Sequence, residues 1–313
     1  YGSVFDLGVA NVVPYNRRVI EEWGFDDPAE LYANDEWTWD VFYDMCLEFS
    51  DGDENRYALD GYAYAGALVE STGQQMLQID ENGTFYSNID SPEIERAENL
   101  IYDLAKNDCK YHEGNSMWAL RNNATFGSGV KEGDCLFYVI GISFFTDTVE
   151  EVSALWGDIE AGELMFAPLP RDPQGDGVYY ECSTISAYGI VAGASNPEGV
   201  ALLASCNRFK IVDPTVVRID RKQLEEVYMW NQEMLDMWDT CRALALANQR
   251  IDLTGNLPDN LQRALSSLSD GIIRTVNPSS WAQLKEQNRD SVEYYIDELN
   301  ATIAEYNTDG PTQ

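Results

Sequence analysis

The chain holds one histidine, His112, so any catalytic site built on an imidazole must use it. It sits in the polar run Cys109-Lys110-Tyr111-His112-Glu113-Gly114, and no Gly-x-Ser-x-Gly elbow occurs to present a serine to it. Zincin motifs need two histidines, which excludes them. Neither Gly-x-x-x-x-Gly-Lys-Ser/Thr nor Gly-x-Gly-x-x-Gly occurs, and Gly127-Ser128-Gly129 is too short to cradle a phosphate. Asp51, Asp53 and Asn55 begin like a calcium loop. Arg56 then stands where the tight turn needs glycine, and Tyr62 where a bidentate glutamate is needed, so the segment reads as an acidic loop. Carboxylate pairs can cleave glycosidic bonds, but among 54 acidic residues close pairs arise by chance. The sequence points to no catalytic residue, cofactor or metal.

Charge narrows the partners. Lys and Arg total 20 against those 54 acids, a formal net charge of −34. Such a surface is repelled by nucleic-acid phosphates and by anionic lipid head groups. No window approaches the apolar length that spans a bilayer; the longest apolar run, residues 135–145, reads as a buried strand and a turn. Of the six cysteines, no two have Cys-x-x-Cys spacing, and their pairing stays open. Cys46, Cys206 and Cys241 fall in helical patterns and read as small core residues.

Several elements can be placed from pattern. Residues 9–14 form a β-branched run that feeds a helix over 15–23, stopped by Gly24. A second helix follows Trp37, with Thr38 as cap, Asp40 in its first turn and Val41, Phe42, Met45, Cys46 and Phe49 as its apolar side. Residues 57–64 read as a strand carrying Tyr62 and Tyr64 on one face. A turn at 80–83 returns as a short strand, and Ser91-Pro92-Glu93 opens a helix with the stripe Ile94, Ala97, Ile101, Leu104. Strands are expected at 135–142, 164–167 and 185–192, with a helix start at Asn196-Pro197-Glu198. Beyond Val200 the pattern is helical, and Trp281, Leu284, Val292, Ile296, Leu299 and Ile303 stripe a long last helix before a polar tail at Gly310-Pro311. The sum is an α/β body with a helical C-terminal portion.

The run Pro14-Tyr15-Asn16-Arg17-Arg18-Val19-Ile20-Glu21-Glu22-Trp23-Gly24, followed by Trp37-Thr38-Trp39-Asp40-Val41-Phe42, resembles the family 1 extracellular solute-binding proteins, the maltose-binding-protein-like receptors of ABC importers. Further matches keep the family's order. Asp80 to Gly83 with Asn88 and Ser91-Pro92-Glu93 resembles its "D-x-x-G … N … P-E" stretch, and Lys131 to Leu136 the stretch before a cleft strand. Phe166-Ala167-Pro168-Leu169-Pro170 resembles "F-x-P-L-P", and Gly189-Ile190-Val191 with Ala194-Ser195-Asn196-Pro197-Glu198 resembles the crossing strand and helix. Cys135-Leu136 and Phe144-Phe145 depart from the usual alanine-methionine and tryptophan.

The resemblance implies a partial periplasmic-binding-protein-like class II fold. Residues 1–186 would be mostly lobe 2, and 187–313 the crossing strand, the return to lobe 1 and the C-terminal helices; the family's first strand and helix are not in the chain. It implies a non-enzymatic, monomeric component of an ABC importer, held outside the cell by an N-terminal lipid signal and partnered by permease subunits. A mono- or oligosaccharide would be captured in the cleft between the lobes. By family position Tyr15 is the stacking candidate and Asn16 a ligand hydrogen-bonder or a helix cap. Tyr62, Tyr64 and Phe144 would line the cleft, with Tyr180 and Glu181 before the second crossing. Trp37 and Trp39 read as structural clamps. Two rival readings are a carbohydrate hydrolase using paired carboxylates and a cell-surface protein-interaction module.

Overall fold

The structure, a computed structural model, describes residues 2–61, 63–111, 126–190, 193–248, 250–251, 253, 257–273 and 277–308. His112, Tyr62 and the Gly310-Pro311 tail lie outside them. Continuous apolar runs become strands buried on both faces. β2 (Val13–Asn16) pairs antiparallel with β7 (Leu164–Ala167), and every residue of both strands is buried. β3 (Tyr57–Leu59) lies parallel to β6 (Cys135–Phe137). A bridge between Val12 and Ile140, with the Tyr138 N–H donating to the Pro14 carbonyl, joins the two pairs into one layer. Around it sit α1 (Arg17–Trp23), α2 (Pro28–Ala33), α3 (Trp39–Phe49), α5 (Pro92–Lys106) and α6 (Val149–Trp156). Aromatic rings fill the space between: Phe145 meets Trp156 edge-on at 4.9 Å and stacks on Phe166 at 6.1 Å. Such pairs contribute about 0.5–1.5 kcal/mol each beyond the area they bury.

A second sheet, ordered β1-β8-β9, stands apart. β1 (Gly2–Val9) runs antiparallel to β8 (Cys182–Gly189), and β9 (Arg250–Ile251) pairs with residues 182–183 of β8. α7 (Pro197–Val212) packs on β1 and on α8 (Pro214–Glu226), while α9 (Gln232–Ala247) touches β1, β7 and β8. The last helices, α10 (Asp259–Ile273) and α11 (Trp281–Thr308), return to the first layer. They pack on α5 and on the hairpin β4 (Leu77–Ile79) and β5 (Phe85–Ser87), where the Asn300 amide pairs both ways with the Phe85 backbone at 2.9 and 2.8 Å.

The hairpin and its turn, the helices opening at Pro92 and Pro197, the strand at 164–167 and the long last helix stand where the pattern puts them, while the strand expected over 185–192 runs from Cys182 to Gly189, with 191–192 outside the described residues, and the one expected over 135–142 ends at Phe137. Other expectations change. Tyr15 and Asn16 stay in β2, because the Asn16 side chain caps the helix that starts one residue later. The run 57–64 breaks: the strand ends at Leu59, Gly61 turns at φ 81°, and α4 (Ala63–Glu70) begins, so Tyr64 is helical. Thr38 occupies the cap position of α3 without a side-chain hydrogen bond, and the Ser91 hydroxyl donates to Glu93 at 2.6 Å rather than capping its helix. Cys206 is exposed, while Cys46 and Cys241 are buried; the described cysteines 46, 109, 135, 206 and 241 carry free thiols. Helix α2 is an addition to the elements the pattern places; Asp27-Pro28 supplies its cap and a first-turn proline. No helix among the described residues is long and apolar enough to cross a membrane.

Candidate functional site

In α/β sheets ligands gather beyond the carboxyl ends of the parallel strands, where loops diverge. Here β3 and β6 end side by side. Past β3, the buried Asp60 carboxylate accepts the Gly61 N–H at 2.6 Å and holds the turn into α4. A Cβ at Gly61 would lie 3.1 Å from the Tyr138 ring, so the turn admits little beyond hydrogen. Past β6, a 3-10 turn over Ile142–Phe145 leaves Phe144 39% exposed, its ring 5.0 Å from that of Phe126.

Helix α4 carries the edge onward. Its Tyr64 and Leu68 face inward and are buried. Ala65, Gly66, Val69 and Glu70 face α10, and between the two helices lies a groove of about 370 Å³. Val69, Met76, Leu77, Leu253 and Leu265 make an apolar floor. Glu70, Gln74, Gln75, Ser266, Ser269 and Asp270 supply carboxylates, amides and hydroxyls, and no described lining residue is basic. Gln74 is fixed by hydrogen bonds from Gln78 and Asn88, and the Gln75 amide nitrogen is buried without a partner. Leu253 follows β9 closely, which sets the groove beside the β1-β8-β9 sheet. An apolar floor with sparse polar groups at the edge suits an uncharged polyhydroxylated molecule.

The expected site residues scatter. Tyr15 is fully buried; its hydroxyl donates to Asp27 at 2.5 Å and accepts from the Ala29 N–H, so its ring cannot stack on a ligand. Burial, reinforced by the Asp27 charge, raises its pKa far above that of an ordinary tyrosine. Asn16 is spent on structure: its oxygen caps α1 at Arg18 and Val19, and its amide donates to the Trp156 carbonyl at 3.1 Å. Tyr64 is 1% exposed and belongs to the core. Phe144 keeps an open face at the strand edge. Tyr180 is half-buried, its hydroxyl donating to Asp176 at 2.6 Å and its ring lying over Gly73. Glu181 is fully buried at the foot of β8; one oxygen accepts the Leu169 N–H at 2.7 Å and the other has no partner. Trp37 and Trp39 are clamps as expected, donating to the Pro168 carbonyl and the Ser71 hydroxyl. Asp51 closes its own turn on the Asp53 N–H, and no cluster of three or more metal-ligating side chains occurs among the described residues. The groove residues carry no motif, and only the placement of α10 against α4 brings them together.

No family model matches the sequence, and no curated protein matches it. Solved structures match in fold. MalE of Xanthomonas citri, a sugar-binding protein, superposes with a TM-score of 0.62 at 13% identity, over 98% of this chain and 73% of that one. The ABC substrate-binding protein Lmo0181 of Listeria monocytogenes, in complex with cycloalternan, gives 0.60 at 14% identity over 97% and 72%. The galacto-N-biose/lacto-N-biose I-binding protein of Bifidobacterium longum, in complex with lacto-N-biose, gives 0.60 at 12% over 95% and 71%. The chain thus has the periplasmic-binding-protein-like α/β fold along nearly its whole length and spans about 72% of such structures.

Proposed function

We propose that this chain is the solute-binding component of an ABC importer and captures a mono- or oligosaccharide at the groove between α4 and α10. The observation that carries this reading is the coincidence of two things: a fold shared with sugar-binding proteins, and a groove of matching chemistry beside the crossing sheet. Pyranose faces are apolar while their edges present hydroxyls. The aliphatic floor would take a ring face, Gln74, Gln75, Ser266 and Ser269 would take hydroxyls, and Phe144, exposed past β6, would offer a stacking ring.

On this reading residues 1–186 are mostly lobe 2, and 187–313 carry the crossing back and the C-terminal helices. The protein works outside the cell, tethered by a lipid anchor, and hands its solute as a monomer to permease subunits. Thermal-shift screening with maltose, maltotriose, lacto-N-biose and mannitol tests it. A ligand at about a hundred times its Kd stabilises by about 2.7 kcal/mol, a rise of several degrees in Tm. New reducing ends on incubation with oligosaccharide would instead favour a hydrolase.

A further inference from the structure

Phe144 is presented by a short element whose own bonds are weak. The 3-10 turn over Ile142–Phe145 is four residues long, and such turns have poorer hydrogen-bond geometry than an α-helix. Its bonds run from the Phe144 N–H to the Gly141 carbonyl and from the Thr146 N–H to the Ser143 carbonyl, both at a long 3.3 Å. The next ring anchors it. Phe145 is fully buried, edge-on to Trp156 and stacked on Phe166, while Phe144 beside it stays exposed. The Phe145 carbonyl accepts the Trp230 indole N–H at 3.0 Å, from 85 residues further along the chain. Trp230 is itself buried, and its ring leans on Phe166 at 5.7 Å. One indole thus holds the last carbonyl of the turn and packs on the ring beneath it.

The backbone is bent to put that indole there. Just past α8, Met229 sits at φ 57°, in the left-handed region that glycine usually takes at a helix end, and the Trp230 N–H donates back to the Leu224 carbonyl at 2.9 Å. A residue other than glycine holds that conformation at a cost, so the surrounding contacts must enforce it. Asn231 then caps α9, its side-chain oxygen accepting the Met234 N–H at 2.9 Å. Trp230 is gripped between two helices, and α9 packs in turn on β1, β7 and β8. The turn that carries Phe144 is therefore held by the body of the protein through Trp230.

Resting on the receptor reading above, we propose that Trp230 is a positioning residue for sugar binding: its indole N–H, through the Phe145 carbonyl, fixes the turn so that the Phe144 ring is set before solute arrives. Trp230 touches no solute, since its side chain is buried. A stacking ring that can swing loses that freedom when a sugar lands on it, and the loss subtracts from affinity. Without the indole donor the Phe145 carbonyl loses its partner, and the turn keeps only its own long bonds. The contribution of Trp230 is then felt through Phe144 alone.

Titration calorimetry on the 313-residue chain tests this as a double-mutant cycle, with whichever of maltose, maltotriose or lacto-N-biose gives heat. Trp230→Phe keeps a ring against Phe166 and deletes the N–H. It should weaken sugar binding about threefold to fivefold in the wild type, part of what the stacked ring is worth, and cause no further loss in Phe144→Ala. A merely structural role would instead lower affinity equally in both backgrounds. A second reading needs no variant at Trp230 and decides if Trp230→Phe does not fold. In isotope-labelled protein the Trp230 indole N–H resonance should shift when sugar saturates the wild type and stay in place in Phe144→Ala. Unchanged affinity in Trp230→Phe, an equal loss in both backgrounds, or an indole signal that sugar does not move in the wild type overturns the inference and leaves the receptor reading standing. No heat from the wild type with any of the three sugars overturns both.

Discussion

The Tyr180 ring packs directly on the Gly73 backbone, and Gly73 sits in the left-handed region at φ 73°. Two demands meet at one residue: a backbone conformation that other residues adopt at a cost, and no room for a Cβ. Gly73→Ala should therefore destabilise by about 2–4 kcal/mol, combining strain with overpacking. Tyr180→Ala in the same background should recover the overpacking part. Urea denaturation of the two single variants and the double variant measures the coupling.

Glu98 on α5 is fully buried with neither carboxyl oxygen hydrogen-bonded, and burial raises its pKa to about 8. Between the ordinary carboxyl range and pH 8 the folded chain holds a proton that the unfolded chain has released. Stability must then fall as pH rises through that window and level off above it. Urea midpoints between pH 5 and pH 8.5 should decline in the wild type. In Glu98→Gln, whose amide does not titrate, the decline should be shallower.

Tyr15 gives a prediction that opposes the stacking role the sequence resemblance implies. Tyr15→Phe removes the hydroxyl shared with Asp27 and Ala29 and should cost about 1–2 kcal/mol, while Tyr15→Ala leaves a core cavity and should cost about 3–5 kcal/mol. Neither loss should appear as a specific change in sugar affinity once folding is corrected for. A large loss of affinity in a fully folded Tyr15→Phe would return the residue to the site.

Phe144 behaves in the opposite sense. With 39% of its surface exposed, Phe144→Ala should cost little stability. It should weaken sugar binding roughly tenfold, the worth of one stacked ring at about 1–1.5 kcal/mol. Calorimetric affinity beside the urea midpoint separates the two effects.

Much of the fold could be read from the chain because its signals are local. Asp80 to Gly83 closes a hairpin, Pro92 and Pro197 open helices, and the apolar run 164–167 is a strand buried on both faces. The site was less legible for physical reasons. Tyr15 looks like a cleft tyrosine until Asp27, twelve residues on, is seen to take its hydroxyl inside the core. The alternation that put Tyr62 and Tyr64 on a strand ends at Gly61, whose turn is dictated by the ring of Tyr138, far along the chain. The groove pairs α4 with α10, and nothing local in either helix announces the other.

The central claim is that sugar is bound between those two helices. Ser269→Trp places a large ring in the groove from the half-buried outer side of α10. Calorimetry with the best sugar from the thermal-shift screen, run on wild type and Ser269→Trp, tests the claim directly. The account predicts saturable binding by the wild type and none by a variant that melts at nearly the same temperature; unchanged affinity in the filled groove would contradict it.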